Sequence, residues 1–238
     1  MMIDWLVQSS IAHPDLRRGL APTGLLSPSE QRRLAAMPIE KRRHDWLLGR
    51  WTAKRLVQAY IAQHSGVQIP LEQIVVTSAP DGAPQLLADD SHRLSALYNL
   101  QALSLSISHC NGHAFCALSD GGRFHVGADI ERIEPRAPVF AEDYFTAHEL
   151  AQLHAAPPAT RDILVTLIWS AKEAVLKALR LGLTVDTRSV SITLGPAPSG
   201  RLAWAPLTVQ AAPAAGPLEG WWQVVGDYVL TLAQTRAP

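Results

Sequence analysis

Cysteine is nearly absent from this sequence. Cys110 and Cys116 are the only two among 238 residues, which is too few for a disulfide framework or for a metal site built from thiolates. They lie near each other in one apolar, strand-like stretch, so we expect two reduced, packed thiols. Small disulfide-stapled folds and cysteine-based zinc sites are therefore excluded.

The sequence also lacks a net charge and long hydrophobic runs. Its 21 basic and 21 acidic side chains cancel, so no global field favours nucleic acid or an anionic membrane as a partner, and any anion-binding surface must be local. No run approaches the roughly 18 apolar residues that cross a bilayer. The N-terminal residues, with Asp4 among them, lack the basic region and apolar core of a signal peptide. We therefore expect a cytoplasmic enzyme or binding protein with neither nucleic acid nor membrane as a partner.

What is present is a globular composition, 47% hydrophobic and 18% charged. In the first half, Ser27 and Glu30 mark the start of a helix, which Pro38 interrupts. Residues 39–64 predict a long second helix. Residues 103–109 alternate leucine or isoleucine with serine, which predicts a half-buried strand. The Asn-Gly dipeptide that follows is typical of a tight turn into a partner strand.

The second half repeats this order of elements. Thr146 and Glu149 have the spacing of a capping box at a helix start, and residues 162–181 predict a long helix. Residues 195–217 are rich in proline and alanine and are interpreted as connections. Strands are predicted at residues 126–130, 189–194, 221–225 and 228–232. We therefore predict an α/β (α+β) fold of two pseudo-twofold-related subdomains, residues 1–121 and 122–238, each a small sheet packed on a long helix.

Two carboxylates stand two positions apart in the strand predicted after the midpoint of the chain. Side chains alternate along a strand, so Asp129 and Glu131 share one face while Ile130 points to the other. Carboxylates that converge in this way suit Mg²⁺ or Mn²⁺, which prefer oxygen ligands, rather than zinc. Taken alone, an Asp-x-Glu pair is better interpreted as an exposed edge strand with alternating charges.

The long helix of the second half adds a third carboxylate. At 100° per residue, Trp169, Glu173 and Lys177 fall on one face, and Lys172 lies apart on its flank. The rest of this helix is apolar almost all round, so its narrow polar face must meet something polar. A Glu-to-Lys pair on a solvated stripe is the simpler alternative. In combination with the carboxylate strand, a third acidic metal ligand with phosphate-pairing lysines explains the pattern better.

Basic residues of the first half offer a second, local anion site. His109 ends the half-buried strand and is either a hydrogen-bonded structural histidine or a phosphate ligand. Arg50 and Lys54 stand beside Trp46 and Trp51 on the long helix, where they could pair with a phosphate.

These segments resemble the signature of the 4′-phosphopantetheinyl transferases. Gly127-Ala128-Asp129-Ile130-Glu131 is similar to the family's Gly-x-Asp-x-Glu, and Trp169 to Lys177 is similar to its Trp-x-x-Lys-Glu-x-x-x-Lys. Supporting motifs resemble the larger, monomeric surfactin-synthetase-activator (Sfp) type. They are Ser106-Ile107-Ser108-His109, Leu47-Leu48-Gly49-Arg50 and Phe145-Thr146 with Glu149. The resemblance covers roughly residues 28–194.

The resemblance implies a reaction and a catalytic site. The family transfers the 4′-phosphopantetheine arm of coenzyme A to a serine of an acyl or peptidyl carrier protein and releases adenosine 3′,5′-bisphosphate. By position, Asp129, Glu131 and Glu173 would hold Mg²⁺, or Mn²⁺, at the coenzyme A pyrophosphate. Glu173 would also act as the base for the carrier serine. Lys177 would neutralise charge in the transition state, with Lys172 in support.

The same resemblance implies where the rest of coenzyme A binds. Ser108, His109 and Arg33 would bind its 3′-phosphate end, with Arg50 as a helper, and the turn at Gly82 would lie near the adenine. This sequence departs from the family in two places: Ala83 replaces the lysine of a Gly-Lys-Pro turn, and Ser106 replaces an asparagine. We expect a monomer with coenzyme A and Mg²⁺ in the cleft between the subdomains.

Three other functions stay open, one of them a soluble α/β domain that only mediates interactions. A non-catalytic module that binds a nucleotide or coenzyme A would keep the fold without turnover, although the acidic triad favours an enzyme. Another Mg²⁺-dependent phosphotransferase, such as a small nucleotide kinase, is disfavoured because the sequence has no Gly-x-x-x-x-Gly-Lys-(Ser/Thr) phosphate loop. The sequence does not distinguish a fatty-acid, polyketide or peptide carrier.

Overall fold

The computed structural model describes residues 3–88, 99–120, 122–195, 203–211 and 217–237. The chain divides into two compact units, Met1–Arg123 and Phe124–Pro238. Within the described ranges, no helix has both the length and the apolar character needed to cross a membrane.

In the part of the first unit that the structure describes, three α-helices are present. They are α1 (Pro14–Arg17), α2 (Pro28–Ala35) and α3 (Glu40–Ser65). The helix start predicted at Ser27 is confirmed, because its hydroxyl accepts from the Glu30 N–H and the Glu30 carboxylate accepts from the Ser27 N–H. The long helix ends at Gly66, whose φ of 72° is left-handed.

The described residues of the first unit also form two antiparallel sheets. Its strands are β1 (Asp4–Ser9), β2 (Ile74–Ser78), β3 (Pro84–Ala88), β4 (Leu103–Cys110) and β5 (His113–Asp120). One sheet has the order β1-β5-β4, and β2 pairs with β3 in the other. Asn111 and Gly112, with φ of 45° and 75°, form the predicted turn between β4 and β5. Helix α3 packs against the three-stranded sheet through Ala53, Val57 and Ile61.

The prediction that β4 is half-buried is wrong. Ser106 and Ser108 are buried, as is Leu105, so both faces of the strand are covered. The alternation of serine with leucine therefore marked two packed faces, because a small hydroxyl side chain fits a covered surface when its polar atom is satisfied. Both cysteines are reduced, as expected, and burial raises the pKa of the Cys116 thiol.

The second unit is one five-stranded antiparallel sheet with helices. Its elements are β6 (Phe124–Arg132), α4 (Pro138–Tyr144), α5 (Ala147–Ala155), α6 (Arg161–Ala178), β7 (Val190–Leu194), β8 (Ala205–Ala211), β9 (Leu218–Val225) and β10 (Tyr228–Arg236). The strand order is β6-β10-β9-β8-β7. Helix α6 packs on this sheet through Ala171, Ala174 and Val175.

The predicted mixed fold, with a sheet packed on a long helix in each half, is confirmed. Four of the elements described above were not predicted: helices α1 and α4 and strands β3 and β8. Helix α4 follows β6, and β8 lies in the stretch interpreted as connections. Strand β8 pairs with β9 over only Ala205–Leu207. The sequence of β8 predicts a strand only weakly, because Pro206 has no N–H to donate to a neighbouring strand. Short 3₁₀ turns occupy Ser10–Ala12, Leu71–Gln73, Leu100–Ala102, Pro158–Thr160, Gly182–Thr184 and Thr187–Ser189.

Candidate functional site

The close approach of β6 to α6 is set by a glycine. A Cβ added at Gly127 would lie 1.8 Å from the carbonyl oxygen of Ala174 and 2.7 Å from the amide nitrogen of Ala178. Only a residue without a side chain fits this position. Gly127 therefore lets the strand that carries Asp129 and Glu131 lie directly against the helix that carries Glu173.

Asp129 is at the centre of the polar contacts between this strand and α6. Its side chain is 5% exposed, and its Oδ1 accepts from Lys177 Nζ at 2.7 Å. Lys177 Nζ also lies 3.3 Å from the carbonyl oxygen of Ala128. Lys177 of α6 and Asp129 of β6 are thus in direct contact.

Glu131 is half-buried and held from two sides. Its Oε2 accepts from Arg136 at 3.1 Å, and Trp169 donates a second hydrogen bond to the carboxylate. Burial is the largest cause that raises the pKa of Glu131, and the negative charges of Asp129 and Glu173 raise it further. The charge of Arg136 and the Trp169 hydrogen bond lower it. The ionised form of Glu131 is therefore disfavoured on balance, and a nearby positive charge would stabilise it.

Glu173 lies within electrostatic reach of the same acids. Burial raises its pKa, the Lys177 ammonium opposes the rise, and Asp129 adds to it. Asp129 thus acts on both Glu131 and Glu173, so the three predicted metal ligands are neighbours in the second unit.

The three carboxylates are nevertheless not grouped as ready-made ligands. Among the residues that the structure describes, no three histidine, cysteine, aspartate or glutamate side chains could hold a metal ion together. The expected convergence of Asp129, Glu131 and Glu173 on one point is in this respect not seen, because Asp129 pairs with Lys177 and Glu131 with Arg136. The chemistry of the donor set still fits a hard divalent cation. It consists of three carboxylates, two of them with a raised pKa caused in part by a neighbouring acid.

Lys172, predicted to support coenzyme A binding, is placed elsewhere. Its side chain is fully buried and its Nζ lies 2.8 Å from Glu149 Oε2. Although Lys172 precedes Glu173 in the chain, its ammonium therefore points to the start of α5. The structure does not bring Lys172 to the carboxylates of β6, because successive helical residues are rotated by about 100°.

Four of the residues predicted to bind coenzyme A line one cavity in the first unit. Arg33, Arg50, Gly82 and His109 surround a volume of about 560 Å³. Arg33 and His109 are exposed there, whereas Arg50 is buried. Ser108 is buried in β4 and does not line the cavity.

Arg50 gives one wall of the cavity a positive charge. The guanidinium of Arg50 lies 4.6 Å from the Trp46 ring, and burial lowers the pKa of Arg50 to about 10, against the opposing charge of Glu30. Arg50 therefore keeps its charge near neutral pH. Arg50 Nε lies 3.7 Å from Glu30 Oε1, and Trp46 Nε1 is buried with no hydrogen-bond partner among the described residues.

Residues 125–233 match the family model described as the 4′-phosphopantetheinyl transferase superfamily. This stretch, a little under half of the chain, is similar to that superfamily. The matched stretch contains Asp129, Glu131, Glu173 and Lys177, together with Lys172.

Curated relatives share part of the chain. The 4′-phosphopantetheinyl transferase psf-1 of Bacillus pumilus is 26% identical over 131 residues, which cover 55% of this chain and 50% of that protein. A relative from Synechocystis sp. is 29% identical over 113 residues, or 48% of this chain and 42% of that protein. The chain thus spans about half the length of the curated relatives it matches. Among solved structures, the complex of the Chronobacterium ammoniagenes ACPS with CoA has a TM-score of 0.39 and 23% identity, and the match covers 50% of this chain and 96% of that chain.

Several residues around the two sites were not singled out from the sequence. Arg136, which bonds Glu131 in the second unit, stands five positions after it, and this proximity was an available signal. Arg42 lines the cavity of the first unit, and the basic run at the start of α3 was its signal. Glu149 was noted only as a helix cap, because nothing local in the sequence indicates its pairing with Lys172.

Proposed function

We propose that this protein transfers the 4′-phosphopantetheine arm of coenzyme A to a serine of an acyl or peptidyl carrier protein and releases adenosine 3′,5′-bisphosphate. The observation that carries the proposal is that the stretch matching the superfamily contains Asp129, Glu131 and Glu173 as electrostatic neighbours, with Lys177 bonded to Asp129. We further propose that the protein works in the cytoplasm as a monomer.

The acidic group of the second unit supplies the reaction site in this proposal. Asp129, Glu131 and Glu173 would hold Mg²⁺, or Mn²⁺, and such an ion, when bound, neutralises charge on a pyrophosphate. Glu173 accepts the proton of the carrier serine, and its raised pKa makes it a stronger base than an ordinary glutamate. Lys177, bonded to Asp129, supplies positive charge for the leaving phosphate.

The cavity of the first unit supplies the site for the nucleotide end of coenzyme A. Arg33, Arg50 and His109 line it, and two guanidinium groups with an imidazole suit a phosphate monoester. Gly82 lies on the same wall, in the turn before β3. The backbone of this turn, rather than a lysine side chain at position 83, would contact the adenine.

The proposed reaction is tested by mass spectrometry of carrier proteins. Purified protein is incubated with coenzyme A, Mg²⁺ and, separately, a fatty-acid, a polyketide and a peptide carrier in their apo forms. We expect at least one carrier to gain the mass of phosphopantetheine, and we expect chelation of divalent cations to abolish this gain. Binding of coenzyme A without modification of any carrier would instead identify a non-catalytic binding module.

The residues that line the cavity predict that it binds the 3′-phosphate of coenzyme A. His109→Ala and Arg33→Ala are each expected to weaken coenzyme A binding by about tenfold, because each removes a charge-assisted hydrogen bond. Binding of 3′-dephospho-coenzyme A should stay as in the unchanged protein. Isothermal titration with both ligands measures the difference.

Arg32→Ala is the matched control for this experiment. Arg32 is exposed on α2 next to Arg33, but it does not line the cavity, so its replacement should change neither affinity. Equal losses for both ligands in the Arg33 and His109 variants would place the 3′-phosphate outside this cavity.

A further inference from the structure

Lys172 has no hydrogen-bond donor left for a ligand. Its ammonium carries three N–H groups, and its three acceptors are Glu149 Oε2 at 2.8 Å, the Thr187 carbonyl at 3.0 Å and the Val190 carbonyl at 2.6 Å. The side chain is 0% exposed. A phosphate could therefore reach Lys172 only if one of these buried bonds were broken.

The partner of Lys172 is as fully engaged as Lys172 itself. Glu149 Oε2 also accepts from the Thr146 N–H at 2.7 Å and from the Thr146 hydroxyl at 3.0 Å. Its Oε1 accepts from the Ile192 N–H at 2.8 Å. One buried carboxylate thus joins the start of α5, strand β7 and helix α6.

The first unit contains the same arrangement. Lys54 of α3 is fully buried, bonds Glu30 Oε2 and donates to the Leu25 carbonyl at 2.7 Å. Glu30 accepts from its own helix cap, Ser27 N at 3.0 Å, and from a strand, Val76 N at 3.2 Å. In both units a lysine of the long helix therefore pairs with the glutamate of a capping box that also bonds a strand.

A short sequence repeat accompanies the two lysines. Trp51-Thr52-Ala53-Lys54 corresponds to Trp169-Ser170-Ala171-Lys172. The residue that follows is different, because an exposed Arg55 stands where the second unit has Glu173. The buried pair thus occurs without an acidic residue beside it, which indicates that its role is to anchor a helix and not to bind a phosphate.

The buried pair of Lys172 and Glu149 fixes one side of α6. On the opposite side, Lys177 bonds Asp129, and the Ser170 hydroxyl lies 2.8 Å from the Thr231 hydroxyl of β10. Contacts on both sides prevent rotation of the helix about its axis. Glu173 directly follows Lys172 in the chain. If loss of the Lys172–Glu149 pair allowed α6 to rotate, the Glu173 carboxylate would therefore move relative to β6.

We propose that Lys172 is a positioning residue whose pair with Glu149 sets the rotation of α6 and so holds Glu173 beside Asp129 and Glu131. The inference deepens the proposed function and rests on it for its catalytic meaning. It assigns Lys172 no contact with coenzyme A, which separates it from the role that the sequence resemblance implies.

The test uses three variants of the full chain: Lys172→Met, Glu149→Gln and the two combined. Single variants leave a buried partner without its counter-charge, whereas the double variant removes both charges and keeps an acceptor for the Ile192 N–H. The double variant is therefore expected to fold, as checked by circular dichroism. Mn²⁺ affinity is measured by electron paramagnetic resonance, coenzyme A affinity by calorimetry, and kcat and KM by carrier modification.

All three variants are expected to bind Mn²⁺ about tenfold more weakly, in line with the loss of a group that orients a metal ligand. Coenzyme A affinity and KM should stay unchanged while kcat falls. In a double-mutant cycle the losses of Mn²⁺ affinity should be non-additive, because both changes break the same pair. The matched control is Lys54→Met combined with Glu30→Gln, which removes the equivalent pair of the first unit and should leave Mn²⁺ affinity unchanged.

Two results would overturn the proposal. One is weaker coenzyme A binding by Lys172→Met with no such effect of Glu149→Gln, which would make Lys172 a phosphate ligand. The other is a folded double variant with unaltered Mn²⁺ affinity. If the unchanged protein binds Mn²⁺ but modifies no carrier, the proposed function fails, and Mn²⁺ affinity alone then decides the positioning role.

Discussion

Glu173→Gln is expected to lower the rate of carrier modification by about a thousandfold, within the range that loss of a general base produces. The glutamine has the same size, but it cannot accept the serine proton and offers a cation no negative charge. Two proposed roles of one residue are lost together, whereas packing of α6 is preserved. The rate is measured from the appearance of modified carrier at saturating coenzyme A and Mg²⁺.

Glu219→Gln is the control for this substitution. Glu219 is an exposed carboxylate on β9 of the same unit, and its replacement should leave the rate unchanged. Calorimetry should show that Glu173→Gln still binds coenzyme A, because the cavity of the first unit is untouched. A Glu173→Gln protein that modifies the carrier within tenfold of the normal rate would remove Glu173 from the role of base.

Elements with strong local signals could be predicted from the sequence. The helix start at Ser27 and the one at Thr146 each depend on a hydroxyl and a glutamate three positions later, and both capping boxes are present in the structure. The strand with Asp129 and Glu131 was likewise predictable, because a period of two places both carboxylates on one face. Such patterns are set by backbone geometry over a few residues and need no knowledge of tertiary contacts.

Partners that are distant in sequence could not be predicted. The helical wheel placed Lys172 on the flank of the polar face, but not the carboxylate it meets, because Glu149 belongs to another helix. The pairing of Asp129 with Lys177 likewise depends on how β6 and α6 pack, because the two residues lie 48 positions apart in the sequence. The cavity shows the same limit, since Arg33 and His109 come from elements that only the fold brings together.

Gly127→Ala is expected to lower the free energy of unfolding by about 3 kcal/mol, at the upper end of the cost of overpacking. The added Cβ would lie 1.8 Å from the Ala174 carbonyl oxygen, and helix backbone cannot yield as the tip of a side chain can. Strand β6 and helix α6 must therefore move apart. Urea denaturation followed by circular dichroism measures the change.

The same movement should reduce activity in the molecules that remain folded, because it lengthens the 2.7 Å contact between Lys177 and Asp129 and displaces Glu173 from the strand. Gly122→Ala is the comparison, since its added Cβ would meet only the exposed Asp120 side chain at 3.3 Å. Its effect should stay within about 0.5 kcal/mol. A Gly127→Ala protein with normal stability and a normal rate of transfer would show that the carboxylate strand does not need to lie against α6. The proposed meeting of Asp129, Glu131 and Glu173 would then lose its structural basis.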